Sequence, residues 1–145
     1  MGTWGHKPFD NDTAADFAGD LDDAPQSERI EMLRAALASV ADDVSSHVDG
    51  GRAEIAIAAA ALTARKAEGG EEFQSEVCGP SSELPEIPKD LVSLALDAVS
   101  RLLVRDNDLW DDWSQGRDGE EWLAMLQRLR LVLSRESVAS QESLW

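Results

Sequence analysis

Residues 52–67, RAEIAIAAAALTARKA, are apolar on nearly every side when wound as a helix. The run is shorter than the roughly 18–20 apolar residues that a membrane span requires. It must therefore be wrapped by other parts of the same chain. Its many alanines let neighbouring helices approach closely, which suits the centre of a bundle. The rest of the sequence has to supply amphipathic partners with one apolar stripe each.

Every long periodic stretch has helical spacing, and none alternates as a strand does. Asn11 to Thr13 can cap a first helix whose buried stripe is Ala14, Phe17, Ala18 and Leu21. Pro25 interrupts the chain, and Ser27 is expected to cap a second helix. Ile30, Leu33, Leu37, Val40, Val44 and Val48 read there as one continuous face. Asp49 can cap the alanine-rich helix, and EGG at 68–70 closes it. Residues 70–88, with Pro80, Pro85 and Pro88, read as a loop.

Pro88 suits the first turn of a fourth helix with Leu91, Leu94, Ala95, Ala98, Val99, Leu102 and Leu103 on its core face. Asp118 can cap a fifth, which buries Trp122, Met125, Leu126, Leu129 and Leu133. The expectation is an all-α, single-domain bundle of about five helices over residues 1–134. An N-terminal arm carrying Trp4 and Phe9 packs on the core, and residues 135–145 form a fraying tail.

Charge narrows the range of partners. Among 145 residues, 13 are Lys or Arg and 29 are Asp or Glu, a net charge of −16. Such a field repels nucleic acid and anionic membranes and attracts basic proteins or cations. The opening MGTWGHKPFDND lacks the apolar core of a secretory signal, and His6 stands where myristoylation wants Ser or Thr. A cytoplasmic location is expected. Cys78 is the only cysteine, so no disulfide forms within the chain. With His6 and His47 alone beside it, the usual structural zinc set cannot be completed. No cofactor is expected.

Motifs that would announce catalysis are missing: there is no nucleophile elbow, phosphate loop, dinucleotide turn or H-E-x-x-H helix. Asp10 and Asp12 start what looks like a calcium loop, but Ala14 and Ala15 occupy positions that need a ligand and a glycine. Asp12, Asp16, Asp20 and Asp23 lie within roughly 80° of one another on a helical wheel. Carboxylates at that spacing repel by a few tenths of a kcal/mol per pair, so local helix stability does not explain them; the column reads as a solvated face or as a surface kept for a basic partner or a divalent ion. A second acidic cluster, Asp106, Asp108, Asp111, Asp112, Asp118, Glu120 and Glu121 with only Arg117 among them, is interleaved with Trp110 and Trp113. Such tryptophans more often anchor a loop onto the core; among acids they also suit arginine-rich partners through cation–π contacts and ion pairs.

The stretch WGHKPFDNDTAADF resembles the N-terminal signature of a bacterial family known as domain of unknown function 4259: W-G, a short gap, F-x-N-D, then a helix. AEIAIAAAALTARKAEGG is similar to its alanine-rich central helix. NDLWDDW followed by EEWLAMLQRLRLVL is similar to its Leu-Trp-acid-acid segment and closing helix. The likeness spans residues 2–134, with Lys7 departing from the family's small residue. It implies a shared small fold and brings no activity, catalytic residue or ligand. A shared site would be sought at Trp4, Gly5, His6, Phe9, Asn11 and Asp12.

Two functional expectations follow. The first is a non-catalytic interaction module, resembling an antitoxin, immunity protein or regulator. It would engage a basic protein through Asp12, Asp16, Asp20, Asp23, Asp108, Trp110, Asp111, Asp112 and Trp113. The second is a divalent-metal protein or metal-dependent hydrolase built on Asp10, Asp12 and Asp16, with His6 beside them.

Overall fold

The computed structural model describes residues 8–9, 11–42, 48–65, 67–73, 86–103 and 119–142, with side chains as far as Val138. Among the described residues there are five helices: α1 (Asp12–Asp23), α2 (Gln26–Ala41), α3 (Gly50–Ala64), α4 (Lys89–Leu103) and α5 (Gly119–Glu142). Extended pairing among them is limited to single bridge positions at Asn11 and Val48. The chain is an all-α bundle.

α3 is its axis. Every residue from Ala56 to Ala64 is buried, and the helix packs against α1, α2, α4 and α5. α4 also packs on α2 and on α5, so those three helices follow one another around α3. Alanine makes this possible, because a helix with methyl-sized side chains has several faces that neighbours can approach. Thr63, the one polar side chain in the buried run Ala56–Ala64, returns its hydroxyl proton to the Ala59 carbonyl at 2.8 Å. That bond satisfies the hydroxyl within its own helix.

The amphipathic helices turn the expected stripes inward. Ala14, Phe17, Ala18 and Leu21 of α1 are buried, as are Trp122, Met125, Leu126, Leu129 and Leu133 of α5. On α4, Leu91, Ala95, Ala98, Val99 and Leu102 are buried, whereas Leu94 and Leu103 are only partly covered. Of the arm, Pro8 and Phe9 are described, and Phe9 is wholly buried in the core.

Several boundaries differ from the sequence-based expectation. Ser27 lies inside α2 rather than capping it, and Pro25 holds the cap position without a side-chain bond. α2 ends at Ala41, where the Asp42 N–H donates to Ala38 O, so Val48 reaches the core from the next segment. Val44 lies outside the described residues. The supposed loop after α3 contains a 3-10 turn, Glu71–Phe73, which buries Phe73. Pro88 precedes α4 and accepts a hydrogen bond from Leu91 N–H at 3.1 Å. Where fraying is expected from Ser134, α5 continues helically to Glu142. Asp118 lies outside the described residues.

The turn after α3 depends on two glycines. Gly69 has φ +88°, in the left-handed region that side chains disfavour. At Gly70, a Cβ would collide with the carbonyl oxygen of Ala64. Gly19, exposed in mid-α1, differs because a Cβ there would meet nothing within 4 Å.

Asp49 caps α3, accepting from Arg52 N at 3.2 Å and from Arg52 Nε at 2.5 Å. The Arg52 guanidinium first, and its backbone N–H second, hold the Asp49 carboxyl below the usual aspartate range. A depressed carboxylate contributes stability that is complete above the unfolded pKa and lost as pH falls through the folded value.

Two predictions follow from these positions. Gly70→Ala lowers stability by about 1–3 kcal/mol, whereas Gly19→Ala raises it by about 0.5–1 kcal/mol; thermal melts of the two variants shift in opposite directions. Asp49→Asn destabilises the protein near neutral pH, and the melting difference from wild type narrows as pH drops below about 4.

Candidate functional site

The best-defined part of the opening motif is architectural. Asn11, 8 % exposed, takes the extended conformation of a helix cap. Its Oδ1 accepts from Ala14 N at 2.7 Å, and its Nδ2 donates to Pro8 O at 3.5 Å. One side chain thus satisfies a free amide of α1 and ties back the chain that precedes it. Phe9 fills the core next to this clip, and Asp12 begins the helix, where a negative charge meets the positive end of the dipole. Trp4, Gly5, His6 and Asp10 lie outside the described residues.

On α1 the acidic column faces outward. Asp12, Asp16, Asp20 and Asp23 are all exposed, while the opposite face is buried. The C-terminal half of that column sits at the negative end of the dipole, without a basic residue in the last turn. Compensation comes from α2. Arg29 donates through Nε to Leu21 O at 2.8 Å and through Nη2 to Asp22 O at 3.4 Å. A cation therefore caps the end of α1 from outside.

Other arginines also serve internal contacts. Arg34 pairs with Asp90, joining α2 to α4, and with Glu31 at 3.3 Å. Arg52 reaches Ser39 O at 3.0 Å, tying the start of α3 to the last turn of α2. Arg128 on α5 holds Glu72 of the 3-10 turn with two bonds of 2.7 and 3.1 Å. Arg130 donates to Ser100 Oγ at 3.1 Å, linking α5 to α4. These exposed pairs contribute little stability singly, each about 0.2–1 kcal/mol. Their effect on the surface is larger: positive charge is drawn into contacts between elements, and none of these pairs involves Asp12, Asp16, Asp20 or Asp23.

Among the described residues no group of three or more His, Cys, Asp or Glu is placed to hold a metal ion. Asp12 and Asp16 point outward from successive turns. Their supposed partners, Asp10 and His6, lie outside the described residues, as do Asp108, Trp110, Asp111, Asp112, Trp113 and Cys78. No described helix is long and apolar enough to cross a membrane.

The family described as Domain of unknown function (DUF4259) matches residues 2–125. The chain belongs to this family. No match is found among curated proteins or among solved structures. The DUF4259 region takes in the Asn11 clip, the acidic column and the α3 axis. It closes at Met125, so α5 runs on past the matched residues to Glu142.

Residue-level reading of this DUF4259 chain missed Arg29, Arg52 and Arg128. Each acts on a group remote in sequence or on a backbone carbonyl, and periodicity carries no trace of either. The one available signal lay in α1, whose acidic end has no basic residue of its own and needs a cation from elsewhere.

Asn11→Ala removes both the cap and the tie to Pro8, at a cost of about 1–2 kcal/mol. Asn11→Asp keeps the acceptor and loses only the Nδ2 donor, so its loss is smaller. Chemical denaturation of the two variants checks that order.

Proposed function

We propose that this DUF4259 protein is a non-catalytic interaction module of the bacterial cytoplasm, which engages a basic protein as an antitoxin, immunity protein or regulator does. The observation that supports this is the outward column Asp12, Asp16, Asp20 and Asp23 on a helix anchored by its opposite face. Four carboxylates on one face repel each other, and only Asp12, at the positive end of the dipole, helps the helix. Arg29, which packs at the end of that helix, donates to the Leu21 and Asp22 carbonyls. Lysine or arginine side chains of a partner would relieve that repulsion and gain charge-assisted hydrogen bonds.

The quadruple variant Asp12→Asn, Asp16→Asn, Asp20→Asn and Asp23→Asn tests the reading. Wild-type protein is expected to retain a basic protein from bacterial lysate at low salt and to release it as salt rises. The variant should bind that protein about 5- to 150-fold more weakly, the equivalent of about 1–3 kcal/mol. Equal retention by both forms overturns the proposal. The alternative is a divalent-metal site built on Asp10, Asp12 and Asp16. Calorimetric titration with calcium, magnesium, manganese and zinc would then give heat that disappears in the variant.

A further inference from the structure

α5 has an outer face of its own. Among the described residues two large apolar side chains are exposed, Leu131 at 50 % and Val138 at 52 %. They are seven residues apart and so share one stripe, directly opposite the helix's buried face. Exposed Arg128 and Arg135 stand beside that stripe, also seven residues apart. From Trp122 to Arg135 the sequence has no acidic residue, in a chain whose net charge is −16. The stripe is therefore an apolar surface edged with positive charge on an otherwise acidic molecule.

The outer face of α1 is its counterpart. Asp16 and Asp23 are exposed and again seven residues apart, so both charge pairs span about 10 Å. Between them is Gly19, which weakens the helix, and among the described residues nothing lies within 4 Å of where a Cβ would stand. With α5 of one molecule laid antiparallel on α1 of another, Arg135 stands level with Asp16 and Arg128 with Asp23. Leu131 then falls level with Asp20, beside Gly19, where the missing side chain leaves a dimple. Arg128 is already held by Glu72 through Nε and Nη2, so Arg135 carries the charge that the carboxylate of a second copy meets first.

We propose that the α5 face is a self-association site whose occupant is α1 of a second copy of this chain. The contact uses the acidic face that the proposed function assigns to a basic partner, and it identifies what covers that face when the partner is absent. Two bodies of like charge repel over long distances. At about 0.15 M salt the screening length is roughly 8 Å, so that repulsion is damped while contact-distance pairs persist.

The test is the mass of the full chain by sedimentation, from low to several hundred micromolar protein at about 0.15 M salt. Wild-type protein should pass from monomer to a larger species across that range. Leu131→Gln, Arg135→Glu and Asp16→Arg, all at exposed positions, should each weaken association about tenfold or more. Combining Arg135→Glu with Asp16→Arg in one chain should restore it. A single monomeric mass at every concentration overturns the inference, and so does sensitivity to Arg135→Glu without sensitivity to Asp16→Arg. A monomer that still retains a basic protein through its aspartates sinks this inference alone. A chain that self-associates as described but captures no basic protein sinks the functional reading instead.

Discussion

Close packing around an alanine-rich helix is the constraint from which the rest of this structure follows. With Ala56 to Ala64 buried throughout, that stretch of α3 has no face left for water, and its neighbours must enclose it. Those neighbours need only one apolar stripe each. Their outward faces are then free of core duty and can carry charge at high density. A bundle organised around small side chains and a surface rich in carboxylates are, in this sense, one design.

Electrostatics then divides the surface. A chain with more than twice as many acids as bases cannot neutralise all of its carboxylates. The bases are placed where they cross between elements: Arg34 from α2 to α4, Arg52 from α3 to α2, Arg128 from α5 to the 3-10 turn. Each holds two segments in register, and none of these bonds reaches the α1 column. The acidic face results as much from where the arginines are used as from where the aspartates occur.

Much of the fold was legible because apolar periodicity reports burial directly. The stripes of α1 and α5 and the burial of most of α3 could be read residue by residue, as could the Asp49 cap, while Asn11 was one of three candidates for the cap of α1. What escaped was set by backbone geometry or by distant partners. Ser27 looked like a cap, but the chain turns at Pro25, and the serine falls two positions too far along, inside the helix. Val48 continued an apolar period although α2 had ended at Ala41, since side-chain spacing does not record where the hydrogen-bond ladder stops. Phe73 was hidden in a segment that composition marked as loop, yet a single 3-10 turn suffices to bury one ring. For the candidate site, the column on α1 was readable from helical geometry, while the Arg29 cap that makes it tenable was not.

The way α1 is secured has a consequence for its motions. Its main helical neighbour is α3, its start depends on one asparagine, and its end depends on one arginine lent by α2. Segments with few such fastenings open at a smaller free-energy cost than the body of a domain. The helix displaying the negative column is therefore the one best placed to peel away as a unit. Amide protons along α1 would exchange with solvent ahead of those in α3, and a bound protein would slow them first.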